Sequence, residues 1–116
     1  MARLAIAMRR DFPQYFGFFS TKSFRWRGKR FGNHNKLLSN YTGTDGIKTG
    51  YIDASGFNLV ATVERNGVRL IGVVFGGRTG KTRDAHMVKI LDKSFTRVKP
   101  GDIRTQLAAA SINAVR

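Results

Sequence analysis

The spacing of apolar residues changes several times along the chain, and each change marks an element. Over residues 1–11, Leu4, Ala7, Met8 and Asp11 fall at helical spacing, and Pro13 blocks continuation past Phe12, which predicts a helix. An aromatic-rich stretch fills residues 12–31. Inside it, Ser23-Phe24-Arg25-Trp26-Arg27 alternates apolar and basic side chains, the period of a half-buried strand, with Gly28 as its turn. Residues 32–46 are dominated by Gly, Asn, Ser and Thr and read as loop. Gly46 to Tyr51 is a short strand bounded by glycines, and Asn58 to Glu64 is a second. Asn66-Gly67 is a strong hairpin signal because both positions of its turn need positive φ. The return strand, Val68 to Phe75, is nearly all apolar beyond Arg69, so both its faces are expected to be covered. Gly76 and Gly77 end it. A helix follows from about Thr82 to Val98, with Met87, Val88, Leu91, Phe95 and Val98 as its apolar stripe and Lys99-Pro100-Gly101 as its stop.

Length and composition bound the answer. A chain of 116 residues is one domain or part of one, and 41% apolar residues suffice for a packed core. The absence of cysteine excludes disulfides and cysteine-based zinc sites. No stretch of eighteen apolar residues occurs, and the first ten residues are too short and too broken by arginine for an export signal. The net charge of +14 is unevenly spread: residues 1–36 carry +8, residues 37–75 are neutral and residues 76–116 carry +6. Such charge favours polyanions and says nothing of catalysis by itself.

The neutral segment holds the candidate chemistry. Lys48-Thr49-Gly50 lies between Asp45-Gly46-Ile47 and an apolar hairpin. A Lys-Thr-Gly triplet is one of three motifs that build the site of penicillin-binding proteins and class A β-lactamases. The other two are Ser-x-x-Lys and Ser-x-Asn, and neither lies upstream of Lys48. Further stretches fit in order: Asn33-His34-Asn35-Lys36-Leu37-Leu38 before the triplet, then Gly56-Phe57-Asn58-Leu59-Val60-Ala61 and Gly76-Gly77-Arg78-Thr79 after it. Together, residues 3–98 resemble the second half of the catalytic domain of serine-type D-alanyl-D-alanine carboxypeptidases, the low-molecular-mass penicillin-binding proteins of peptidase family S11.

The resemblance implies a fold, a reaction and a set of roles. The fold would be α/β (α+β), part of a β-lactamase/transpeptidase-like fold with antiparallel strands and flanking helices. Residues 1–98 would be the later half of that domain, and residues 99–116 a linker or the start of a further segment. The parent reaction would remove the terminal D-Ala of a peptidoglycan stem peptide through an acyl-serine, and β-lactams would acylate the same serine. Lys48 would hold the site's field positive and fix hydroxyls by hydrogen bonding. The Thr49 hydroxyl would bind the substrate carboxylate, and Gly50 would let a peptide lie along the strand edge. The backbone N–H of Tyr51 would form half of the oxyanion hole. Arg78 would help bind the terminal carboxylate with its planar fork. His34, in the asparagine loop, is a lesser candidate for substrate contact. Because the nucleophile is absent, the 116 residues alone are expected to be inactive. An apolar sheet face and a strand edge are expected to be bare, so the chain should self-associate or pair with a separate first half. The parent is expected in the periplasm or on the outer face of the cytoplasmic membrane.

Other patterns point to less. Gly80-Lys81-Thr82 resembles the end of a phosphate-binding loop, but Phe75 occupies the position that requires a small residue. Ser111-Ile112-Asn113 satisfies Ser-x-Asn but lies after the triplet, where chance is the better account. His34 and His86 have no ligand partners at metal spacing, so neither metal nor cofactor is expected. Phe24 to Phe31 interleaves basic and aromatic residues and offers an alternative as a nucleic-acid or cell-wall-binding module, although no specific nucleic acid is expected. A class A-like β-lactamase fragment is the other alternative.

Overall fold

The computed structural model describes residues 1–100. The order is α1 (Ala2–Asp11), a 3-10 helix over Pro13–Ser20, β1 (Ser23–Trp26), β2 (Lys29–Gly32), α2 (Leu37–Asn40), β3 (Thr44–Ile52), β4 (Gly56–Arg65), β5 (Val68–Gly77) and α3 (Gly80–Phe95). β1 and β2 form a separate two-stranded hairpin, and the other three strands form an antiparallel sheet in the order β3-β4-β5. This is the α/β (α+β) arrangement, with antiparallel strands and flanking helices, that the resemblance implies. Among the described residues both β3 and β5 are edge strands.

The central strand β4 carries core on both faces. Leu59, Ala61 and Val63 pack with Val74, Met87 and Leu91, so α3 seals that side, together with Leu37 and Tyr41. Val60 faces the other way, into a smaller cluster with Ala5, Phe16 and Ile47. Gly72 lets α3 approach: a Cβ there would sit 2.4 Å from the sulfur of Met87, a fully buried side chain. At the entry to β3, Gly43 has φ +88°, and a Cβ there would lie 2.2 Å from the Glu64 carbonyl oxygen.

Several expectations need correction. The inward side of α1 centres on Ala5, and Leu4 is 53% exposed. The sheet face expected to be bare is covered by α1 and the 3-10 helix, through Ala5, Phe16 and Phe19. That helix, led by Pro13, follows no simple apolar period and escapes the sequence reading. The strand read at Ser23 to Arg27 is real but not half-buried. It pairs with β2 through a tight turn at Arg27 and Gly28, both with positive φ, and only Ser23 and Phe31 are half-buried. β5 is not covered throughout, because Phe75 is 52% exposed. α2 lies inside the segment read as loop, and α3 ends at Phe95, short of Val98. Residues 101–116, including Ser111-Ile112-Asn113 and most of the stretch read as a linker, lie outside the described residues.

One polar contact ties the loop before β3 to α3. The buried Tyr41 hydroxyl donates to Asp92 Oδ1 at 2.5 Å, while the Arg65 guanidinium stacks over the Tyr41 ring at 4.0 Å. Burial first, and then the bond to Asp92, push the Tyr41 pKa up to about 12. The neutral phenol is thus the form the fold favours. Its contribution is fully present below the ordinary tyrosine pKa near 10 and is lost as pH rises from there toward 12, on the order of 2 kcal/mol. Melting temperature should fall over that window, and the fall should be smaller in Tyr41→Phe. Parallel curves for the two proteins would contradict this assignment.

Candidate functional site

The triplet occupies the outer strand of the sheet. Lys48, Thr49, Gly50 and Tyr51 pair with Val60, Leu59, Asn58 and Phe57 of β4, and their other side meets no strand among the described residues. Lys48, Gly50 and Tyr51 are exposed and Thr49 is half-buried. Lys48 Nζ donates to the carbonyl oxygen of Thr49 at 2.6 Å. A Cβ built on Gly50 would meet nothing within 4 Å. Nothing in this chain's own packing therefore requires glycine there.

The earlier part of the same edge is closed. Asn35, 2% exposed, donates through Nδ2 to the Gly46 carbonyl at 3.2 Å and accepts the Leu37 N–H through Oδ1. A Cβ on Gly46 would lie 3.2 Å from Phe19 Cβ and 3.1 Å from Thr62 Oγ1. The asparagine loop and the 3-10 helix thus fill the rim up to about Ile47, and the rim opens from Lys48 onward. His34, next to Asn35, is exposed on that loop.

Polar contacts fix the start of the strand. Asp45 accepts from Thr62 Oγ1 at 2.5 Å and from Arg69 Nη1 through both carboxylate oxygens, at 3.0 and 2.7 Å. Arg69 also donates to Glu64 through Nη2. Arg9 of α1 stands 3.8 Å from Asp45 and 3.9 Å from Glu64, with its guanidinium over the Phe16 ring. One carboxylate three residues before Lys48 therefore gathers β3, β4, β5 and α1. Sequence reasoning places Asp45 in a loop and misses this network. The available signals were Thr62, a fully buried hydroxyl in an otherwise apolar run, and Arg69, a charge in an apolar strand.

Arg78 follows the last residue of β5 and is exposed. The registers Tyr51↔Phe57 and Phe57↔Gly77 form one row across the sheet, so Arg78 stands one residue beyond that row. It lies two strand spacings from β3, about 10 Å. The structure thus brings Lys48, Thr49, Gly50 and Tyr51 together on one rim and sets Arg78 at the same end of the sheet. His34 is on the flanking loop, and no bond joins it to the triplet among the described residues. Tyr51 carries its own side-chain bond, from its hydroxyl to Asp53 at 2.7 Å, which raises its pKa.

The Gly80-Lys81-Thr82 stretch has another use. Thr79 caps α3: its Oγ1 accepts the Thr82 N–H at 3.0 Å, and Thr82 Oγ1 accepts the Thr79 N–H at 3.1 Å. The preceding strand is antiparallel, so no parallel phosphate-cradling unit exists there.

A family model described as D-alanyl-D-alanine carboxypeptidase matches residues 1–79. D-alanyl-D-alanine carboxypeptidase DacA of Escherichia coli K12 is 43% identical over 96 residues, covering 82% of this chain and 24% of that protein. DacF of Bacillus subtilis is 42% identical over 64 residues, or 55% of this chain and 16% of that protein. Among solved structures, penicillin-binding protein 5 of Haemophilus influenzae superposes with a TM-score of 0.76 at 34% identity, over 79% of this chain and 27% of that one. Penicillin-binding protein D2 of Listeria monocytogenes, in its ampicillin-bound form, gives 0.73 at 28% identity, over 79% of this chain and 38% of that one. The chain spans about a quarter of the length of the first curated relatives it matches.

The Asp45 network gives a direct prediction. Asp45→Asn keeps the shape and removes the charge that Arg69 and Arg9 face. Because the pair is partly open to solvent, the expected loss is about 1–2 kcal/mol. Urea unfolding measures it. A loss below a few tenths would show that β3 is held by its pairing with β4 alone.

Proposed function

From a chain that belongs to the peptidase S11 family of D-alanyl-D-alanine carboxypeptidases, we propose that these residues form the Lys-Thr-Gly wall of a serine-type D-Ala-D-Ala carboxypeptidase site. The observation that carries the reading is the open rim of β3 from Lys48 to Tyr51, on a segment the family model spans. The substrate is a peptidoglycan stem peptide ending in D-Ala-D-Ala, and β-lactams are the inhibitors that imitate it. The stem peptide lies along the rim beside Gly50, where the chain's own atoms leave room for a Cβ. Thr49 donates its hydroxyl to the terminal carboxylate, and Arg78, at the same end of the sheet, adds a cation for it. Lys48 supplies positive field beside the reacting carbonyl. The Tyr51 N–H lies two residues beyond Thr49, whose carbonyl meets Lys48. By the alternation of an antiparallel strand, that N–H points to the same rim and serves as one oxyanion donor. His34, on the exposed loop, borders the entrance.

The attacking serine and its lysine come from outside these residues, since no Ser-x-x-Lys occurs in the 116. The serine attacks the penultimate carbonyl, the terminal D-Ala leaves, and water releases the acyl group. The working enzyme faces the periplasm, where stem peptides are.

Labelling with a fluorescent penicillin tests the proposal. The 116 residues alone should give no covalent band at 13.0 kDa. A chimera that joins them to the preceding part of Escherichia coli DacA should label. Lys48→Ala in that chimera should slow labelling by about 10²-fold or more. Gly50→Ala should slow it while leaving thermal stability unchanged. A band on the 116 residues alone, or a folded chimera whose labelling ignores both substitutions, would refute the assignment.

A further inference from the structure

The β1–β2 hairpin stands apart from the sheet and sorts its side chains into two faces. Cross-strand partners share a face, so Phe24, Phe31, Trp26 and Lys29 lie on one side, and Arg25 and Arg30 oppose each other on the other. Phe24 is 60% exposed and Trp26 57%. Directly opposed like charges destabilise a hairpin. None of the ion pairs found among the described residues includes Arg25, Arg27, Lys29 or Arg30. Arg30 finds only a hydroxyl, Ser23 Oγ at 3.2 Å. No Asp or Glu occurs anywhere from residue 12 to residue 44, while six Lys and Arg do. The hairpin thus carries unanswered cations on both faces, open to an external array of anions.

The aromatic face decides which array. Phe24 and Phe31 stack on each other with centroids 5.2 Å apart and planes 15° apart, and the Arg27 guanidinium lies over the Trp26 ring at 4.5 Å. Each such contact takes up one ring face and leaves less of it for nucleic-acid bases, which bind by stacking. The exposed Phe24 and Trp26, beside Arg27 and Lys29, suit the boundary between headgroups and acyl chains, where Trp settles and basic side chains reach phosphates. We propose that the aromatic face of the β1–β2 hairpin is a peripheral docking surface for an anionic phospholipid bilayer, with Trp26 and Phe24 at the acyl boundary and Arg27 and Lys29 on lipid phosphates. No described helix is long and apolar enough to cross a membrane.

Trp26 is the only tryptophan, so its emission reports on the hairpin alone. Titration of the 116-residue chain with phosphatidylglycerol–phosphatidylcholine vesicles (3:7) should shift Trp26 emission to the blue, and pure phosphatidylcholine vesicles should not. Arg27→Gln/Lys29→Gln should weaken vesicle binding roughly 20-fold, with little change in melting temperature, because neither side chain joins an ion pair among the described residues. The proposal is overturned by an absent shift, by an equal shift on phosphatidylcholine, or by a double variant that binds like the parent. It is also overturned if oligo(dT) at matched phosphate quenches Trp26 while the anionic vesicles leave it unchanged.

Discussion

Among the described residues β3 has a strand neighbour on one side only, and the rest of the structure depends on this. β4 is a full partner, buried on both faces and bonded to a strand on each flank. β3 borrows that rigidity through its inner side and keeps its outer polar groups available from Lys48 onward. Peptide recognition by strand addition needs this combination, because a mobile edge would lose entropy on binding and a paired edge would offer no bonds. The rim is also limited in length. Asn35 and Phe19 close it at Gly46, so a chain lying on it is confined to the stretch around the triplet. A short open edge is less exposed to pairing with other copies than a long one.

Electrostatics divides the molecule in two. Around β3 the charges balance, with Asp45 and Glu64 answering Arg69 and Arg9. Those pairs fix the geometry of the strand's first turn of chain and leave Lys48 as an exposed cation on the rim. Outside that zone the positive charge is largely unanswered, most visibly on the β1–β2 hairpin. The two regions therefore differ in kind: a neutralised frame that holds the edge of β3 still, and a cationic surface with few acids to answer it.

The sequence discloses some levels of this and hides others. The hairpin at Asn66-Gly67 is readable because positive φ at two positions leaves little choice, and both residues adopt it. β4 and β5 are readable because their apolar runs are long, and α3 through its apolar stripe. The triplet on a strand is readable through its glycine borders. The 3-10 helix is hidden because its packing rests on Phe16 and the half-buried Phe19, with Tyr15 and Phe18 left outside. The second strand of the small hairpin is hidden because Lys29-Arg30-Phe31-Gly32 has no buried face to impose a period. The Asp45 network joins residues 24 positions apart through side-chain geometry, and no local pattern encodes that. The roles proposed for Lys48, Thr49 and Arg78 rest on family resemblance, while their placement at one end of the sheet comes from register.

At the triplet β3 is rigidly paired inward and open outward. Amide hydrogen exchange of the 116-residue chain, read residue by residue, tests it most directly. The account predicts slow exchange at Ala61 and Val63 in the centre of β4 and exchange at Tyr51 faster by orders of magnitude. Protection of the Tyr51 amide as deep as that of β4 would mean its N–H is already bonded, and the open rim would not exist.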